Sequence, residues 1–180
     1  MKFRVLENCY SLKEVNKLNK IIKKSILKDK EIKDFPALAA KKTSKVEFVS
    51  WGNLKEVLWK FNEFAFVTNE HLFGYDLHFL TLNKICHYNT YDTSTEYSWH
   101  IDADNQYAYD MKLTCLLNLS DKPYFGGELC LFEAGEHPIP GFNKPGSAII
   151  FPSFIPHCVK PVTQGVRKTL TLWLNGPKFR

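Results

Sequence analysis

A change of hydrophobic period near residue 79 constrains the fold of this chain more than any other feature. Beyond it, short runs rich in Ile, Leu, Thr, Phe and Tyr alternate with turn residues: Lys122-Pro123 with Gly126-Gly127, residues 138–146, and Gln164-Gly165. These runs predict strands over 79–89, 97–103, 111–119, 128–132, 147–151, 157–162 and 167–174. Before it the period is helical. Ser11 and Glu14 form a capping box, and Leu12, Val15, Leu18, Ile22 and Ile26 recur every three or four residues, predicting an amphipathic helix to about residue 30. A second helix is expected from Asn53, with Glu56 three residues on and Leu54, Val57, Leu58, Phe61 and Ala65 on one side. Several short strands after two helices describe a mainly β, α+β chain. The expected architecture is a sandwich or jelly roll with the two N-terminal helices packed on one outer face. The 180 residues contain no repeat or linker, so we expect one domain over 1–180, with helical support over 1–75 and a jelly-roll core over 76–176.

Several classes of function are disfavoured. No apolar run approaches the roughly 20 residues of a membrane span, and residues 1–7 carry no apolar stretch followed by small residues. A reducing, cytoplasmic setting is the expectation. The five cysteines (Cys9, Cys86, Cys115, Cys130, Cys158) are scattered, never spaced C-x-x-C, and predict neither a disulfide framework nor structural zinc. The formal charge of +5 is concentrated in Lys13, Lys17, Lys20, Lys23, Lys24, Lys28 and Lys30, one face of the first helix, which could attract an acidic partner.

His100 and Asp102 lie two apart in a predicted strand, and residues i and i+2 project from the same face. One imidazole and one carboxylate therefore point the same way. A third ligand from another strand would complete one face of an octahedron and leave three positions for small molecules, the arrangement of non-haem Fe(II) oxygenases. His157 is the natural third ligand, because it opens a strand after the turn-prone residues 152–156. Ten residues later Arg167 follows the Gln164-Gly165 turn. If those strands pair, its guanidinium lies deeper in the barrel, where its fork suits a carboxylate. Each piece also has a plainer reading. H-x-D arises by chance in any polar alternating strand, His71, His78, His87 and His137 carry no pattern, and a lone His or Arg is usually a surface group.

Order and spacing together resemble the prolyl 4-hydroxylase-like branch of the Fe(II), 2-oxoglutarate oxygenases over about residues 85–175. Tyr91, Tyr97, His100 and Asp102 keep that family's spacing. Thr114-Cys115-Leu116-Leu117-Asn118-Leu119-Ser120-Asp121 is similar to its core strand, and Gly126-Gly127-Glu128-Leu129 to the start of the next. Pro145-Gly146-Ser147-Ala148 and Phe151-Pro152 precede His157, and Arg167 and Trp173 close the match. Two positions depart from the pattern: Ser94 stands where a glycine is frequent, and the cosubstrate cation is Arg167, where collagen-type enzymes use lysine.

The resemblance implies a double-stranded β-helix (a cupin-like jelly roll) with iron at His100, Asp102 and His157. It implies that Arg167 holds the far carboxylate of 2-oxoglutarate, helped by the hydroxyls of Tyr91 and Thr114, with Trp173 lining the pocket. Structural readings stand beside these: Tyr91 and Trp173 as core aromatics, Thr114 as a residue of high β propensity. The implied reaction consumes O2 and 2-oxoglutarate, with ascorbate as an auxiliary reductant, and hydroxylates a prolyl residue in a protein or peptide, releasing succinate and CO2. Asp102 fills the space that related halogenases leave for chloride. The segments expected to shape the entrance are 34–47, 104–110 and 133–143. Two rivals are a nucleic-acid dealkylase of the same superfamily, suggested by the lysine-rich helix, and a non-catalytic metal-binding jelly-roll module. Dealkylases usually carry a second arginine where this chain has Trp173.

Overall fold

The computed structural model describes residues 3–27, 42–78, 85–102 and 109–178. The first helix, α1 (Leu12–Lys24), begins at the predicted capping box: Ser11 N–H donates to Glu14 Oε2 at 2.8 Å, and Glu14 N–H returns to Ser11 Oγ at 3.4 Å. Val15, Leu18 and Ile22 are buried, Leu12 is exposed, and Lys13, Lys17, Lys20, Lys23 and Lys24 face outward. The helix stops six residues before the predicted end. Ser25 Oγ donates to the Ile21 carbonyl, and the chain then turns away: Ile26 forms a bridge with Val49 and Leu27 N–H donates to the Phe48 carbonyl at 2.8 Å. Carbonyl competition by serine and an available sheet edge outweigh propensity here. Lys28 and Lys30 lie outside the described residues.

The second helix, α2 (Trp59–Thr68), starts later than predicted and has no side-chain cap. A 3-10 turn over Trp51–Asn53 and two successive turns precede it, yet Leu54, Leu58, Phe61 and Ala65 are all fully buried. The apolar stripe is thus buried as expected, while Asn53 ends the 3-10 turn and caps no helix. The N-terminal third is also less helical than expected. It contributes two strands, β1 (Arg4–Leu6) and β2 (Lys45–Ser50), to the edges of the main sheet.

The remaining strands are β3 (Ile85–Tyr91), β4 (Tyr97–His100), β5 (Asp110–Asn118), β6 (Phe125–Gly126), β7 (Leu129–Phe132), β8 (Glu136–Pro138), β9 (Ala148–Pro152), β10 (His157–Val159), β11 (Val162–Gln164) and β12 (Arg167–Gly176). A six-stranded sheet in the order β1-β9-β5-β12-β3-β2 faces a four-stranded sheet β4-β10-β7-β8, and β11-β6 form a small pair. This is the jelly roll that the strand pattern predicted. Residues 79–84 and 103, parts of two predicted strands, lie outside the described residues. The predicted strand 157–162 is divided: Pro161 has no N–H to donate, and the chain beyond it leaves β10 to pair with β6.

Period-2 alternation then sorts the side chains of the large sheet into two layers. Cys86 and Tyr88 of β3, Leu113, Cys115 and Leu117 of β5, Ala148 and Ile150 of β9, and Leu170, Leu172 and Leu174 of β12 pack with α1 and α2. Burying each such aliphatic contributes roughly 1.5–3 kcal/mol. Asn19 of α1 fastens the layers, donating to the Leu119 carbonyl at 2.9 Å and accepting from Tyr88 OH at 3.0 Å. The opposite face packs Tyr91, Leu116, Ile149 and Phe151 against Leu129, Leu131 and Val159 of the small sheet, with Ile139 and Phe142 closing one end.

Candidate active site

The inner face of the large sheet turns polar at β3 and β12. Register places Arg167 opposite Tyr91, Thr169 opposite Asn89 and Thr171 opposite His87. All six line one pocket between the sheets.

At one end His157 pairs in register with His100 across β10 and β4, their ring centroids 4.1 Å apart. Asp102 N–H donates to the Ser153 carbonyl, which carries the residue after β4 back over the pocket. The result brings His100, Asp102 and His157 together with their ligand atoms within 4.8 Å of one another. His100 Nε2 is 3.5 Å from Asp102 Oδ1 and His157 Nε2 is 3.4 Å from Asp102 Oδ2. The other ring nitrogens are engaged by carbonyls, His100 Nδ1 by Ser98 at 2.8 Å and His157 Nδ1 by Ile155 at 2.9 Å. Both rings are thereby fixed with Nε2 inward, as metal-binding histidines are oriented.

Asp102 is oriented as well. Its Oδ2 accepts from Thr114 Oγ1 at 2.7 Å and from the Trp173 indole N–H at 2.9 Å, and Ser153 Oγ lies 3.0 Å behind Thr114. Burial opposes the carboxylate, but the His157 and His100 imidazoles beside it hold its carboxyl well below the usual range. Burial likewise opposes the His157 cation, and Asp102 raises it above the ordinary histidine value. Two imidazoles and one carboxylate converging on one point from two strand segments are, once both rings are deprotonated at Nε2, the donor set of a non-haem divalent iron site with open positions.

Arg167 occupies the other end, 1% exposed, with its Nε and Nη2 donors unmatched. Its guanidinium lies 5.0 Å from the Tyr91 ring and 5.8 Å from that of Phe142. Gly127 makes room for it: φ is +67°, and a Cβ there would meet Arg167 Cδ at 3.0 Å and Val162 Cγ2 at 2.9 Å. A buried cation with two unmet donors costs several kcal/mol unless an anion arrives. The pocket thus holds three candidate metal donors at one end and a buried guanidinium with unmatched donors at the other.

The structure assembles the predicted residues with one redistribution. His100, Asp102 and His157 meet; Arg167 and Tyr91 meet; Trp173 lines the pocket and also holds Asp102. Thr114 stands at the metal end, on Asp102, and not beside Arg167. Of the expected entrance segments, 34–41 and 104–108 lie outside the described residues. Residues 133–143 instead close the arginine end, through Ile139 and Phe142. Sequence reasoning missed Lys42, Asn89, Thr169 and Thr171, and took His87 for an ordinary histidine. Counting back by twos from Tyr91, and between Arg167 and Trp173, would have found all but Lys42. Half-buried between Phe48 and Trp173, His87 is pushed down to about 3, by desolvation first and then by Lys42, against the pull of Asp102.

Fold and site together describe a jelly roll with a candidate non-haem metal site and a buried, unmatched guanidinium in the same pocket. Residues 86–175, half of the chain, match the family described as the 2OG-Fe(II) oxygenase superfamily, and the chain belongs to that family. Among curated proteins it is similar to a PKHD-type hydroxylase of Synechococcus sp. (strain CC9605), 34% identical over 82 residues, 44% of this chain and 36% of that protein. It is also similar to the PKHD-type hydroxylase YbiX of Escherichia coli O6:K15:H31, 31% identical over 96 residues, 49% of this chain and 42% of YbiX. The matches thus span about two fifths of the length of these relatives. Among solved structures, a Pseudomonas putida prolyl-4-hydroxylase superposes with a TM-score of 0.68 at 22% identity, covering 98% of this chain and 93% of that one. A Trichoplax adhaerens prolyl hydroxylase, solved with a hypoxia inducible factor peptide fragment, gives 0.67 at 19% identity, covering 96% and 82%. At these identities the likeness concerns the fold. No helix among the described residues is long and apolar enough to cross a membrane.

Proposed function

We propose that this chain is an Fe(II)- and 2-oxoglutarate-dependent dioxygenase that hydroxylates a prolyl residue in a protein or peptide, releasing succinate and CO2. The observation that carries the reading is the shared pocket: three oriented metal donors at one end and a buried guanidinium with unmet donors at the other. The prolyl substrate is supported by the likeness to solved prolyl hydroxylases, one of them in complex with a peptide fragment.

His100, Asp102 and His157 would hold the iron, which supplies when bound the redox chemistry that couples O2 and 2-oxoglutarate to oxidation of a C–H bond. The chain's own part is binding and orientation. Arg167 neutralises the C5 carboxylate in a dry site, with Tyr91 stacked against it. Thr114 and Trp173 occupy Asp102 Oδ2 and leave Oδ1 the less encumbered donor. The Ser98 and Ile155 carbonyls keep the protons of both histidines on Nδ1, so each Nε2 lone pair faces inward.

Succinate formation from 2-oxoglutarate under air, with added Fe(II) and ascorbate, tests the reading when wild type and Asp102→Ala are compared with and without proline-containing peptides. Peptide-stimulated succinate, absent from the variant, is the expected result. Metal binding without turnover on any peptide would leave the non-catalytic module in its place.

A further inference from the structure

Arg167 is not the pocket's only cation. Lys42, on the residues leading into β2, extends its side chain between the sheets. Its Nζ donates to Asn89 Oδ1 at 2.8 Å and lies 4.6 Å from the centre of the Tyr97 ring, whose other neighbour is the His100 imidazole at 3.5 Å. Among the described residues no carboxylate forms an ion pair with Lys42, and Asp102, the one carboxylate lining the pocket, belongs to the metal triad. Position makes this informative. Asn89 faces Thr169, one inward step along β3 and β12 from the Tyr91–Arg167 pair, toward the Trp173 that holds Asp102. A five-carbon diacid held at the triad and at Arg167 would lie in the same pocket that Asn89 and Lys42 line.

We infer that Lys42 is a second cosubstrate-binding cation, which leaves Asn89 to engage the 2-oxoglutarate dianion midway between the metal and Arg167. The inference rests on the cosubstrate reading above and adds a residue to it. Asn89 acts as a parking acceptor: it accepts from the ammonium through a neutral amide oxygen, a weaker partner than a carboxylate. The groups facing Lys42 are Asp102, Arg167, His87, His157 and the Tyr97 phenol. Burial pulls the ammonium down to about 8, with Asp102 raising and Arg167 lowering it. An arriving dianion favours the charged form, so binding near that pH takes up protons.

Calorimetric titration of 2-oxoglutarate into the full chain loaded with Zn(II), which holds the site without turnover, tests this in wild type, Lys42→Met and Lys42→Arg. In buffers of different ionisation enthalpy at about pH 8, wild type should take up a fraction of a proton per ligand bound. Lys42→Met should bind about tenfold to a hundredfold more weakly, without that uptake and with unchanged Zn(II) affinity. Lys42→Arg should recover most of the affinity but not the proton. Equal binding by wild type and Lys42→Met, or a parallel loss of Zn(II) affinity, would overturn the role of Lys42 while leaving the cosubstrate reading intact. Failure of wild type itself to bind 2-oxoglutarate would remove both.

Discussion

Replacing Arg167 with methionine should move stability and cosubstrate binding in opposite directions. The guanidinium is 1% exposed, and its Nε and Nη2 protons have no acceptor. An unmet buried donor costs about 1–3 kcal/mol, and more when the group is charged. Contact with the Tyr91 and Phe142 rings returns only part of that, about 0.5–2 kcal/mol. Methionine keeps the stem against Gly127 and Val162 and carries no charge, so the metal-free, ligand-free protein should gain about 1–3 kcal/mol. In a chain of this length that raises the melting temperature by roughly 2–4 °C per kcal/mol. Binding goes the other way. Removing one partner of a buried, hydrogen-bonded charge pair costs about 2–5 kcal/mol, so 2-oxoglutarate affinity should fall from about thirtyfold to several thousandfold. Thermal melts of the ligand-free protein and calorimetry on the Zn(II) form measure the two effects separately. A lower melting temperature would make Arg167 a structural strut, and unchanged affinity would remove it as the carboxylate receptor.

Other perturbations separate the remaining parts of the site. Trp173→Phe deletes the 2.9 Å bond to Asp102 Oδ2 while keeping an aromatic edge on His87, and should lower metal affinity about tenfold to a hundredfold in competition with a chelator; full affinity would show that Thr114 suffices. His87, held at about 3 against an ordinary 6.5, lets the unfolded chain take up a proton that the folded one refuses. Its contribution to stability is complete above 6.5 and is lost as pH falls toward 3. Between pH 7 and pH 5, urea melts of wild type should therefore lose about 2 kcal/mol more than those of His87→Gln, and parallel losses would refute the burial argument. Ser94 has φ +69°, the left-handed conformation that explains why glycine is frequent there. Relieving a strain of about 1–2 kcal/mol, less the entropy that glycine adds to the unfolded chain, Ser94→Gly should stabilise by about 0.5–1 kcal/mol in the same melts, and destabilisation would refute it.

The site was legible wherever spacing along a single strand carried the information. Arg167 and Trp173 share a face because they are six apart on β12, and His100 and Asp102 reach the same point because the alternation of β4 carries on two residues past its end, where Asp102 N–H donates to the Ser153 carbonyl. The outer core was readable for the same reason, as every second residue of β12 from Leu170 to Leu174 is aliphatic. What failed was information held in pairing. β1 and β2 are too short or too mixed to alternate visibly, and become strands because the edges of β9 and β3 accept them. Thr114 went to the wrong end because its hydroxyl's partner depends on which strand lies opposite, and that strand carries Trp173. Lys42 follows a stretch with no period, so nothing short of the folded sheet ties it to Asn89.

One strand explains why core and site are inseparable here. β12 sends Leu170, Leu172 and Leu174 to the helices and Arg167, Thr169, Thr171 and Trp173 to the pocket, so a slip of one residue would exchange the two sets. Such a slip would bury Arg167 among aliphatics and expose three leucines to the cavity, which is prohibitive on both counts. Eight register pairs with β5 and five with β3 hold the alignment, and the irregularity at Leu174/Asn175 falls after the last pocket residue. The spacing between Arg167 and Trp173, which holds Asp102, is therefore fixed by the leucines on the other face of the strand. Packing thus fixes where the pocket groups of β12 stand, and hydrogen bonds from Thr114 and Trp173 to Asp102, and from His100 and His157 to the Ser98 and Ile155 carbonyls, set the orientation at the other end.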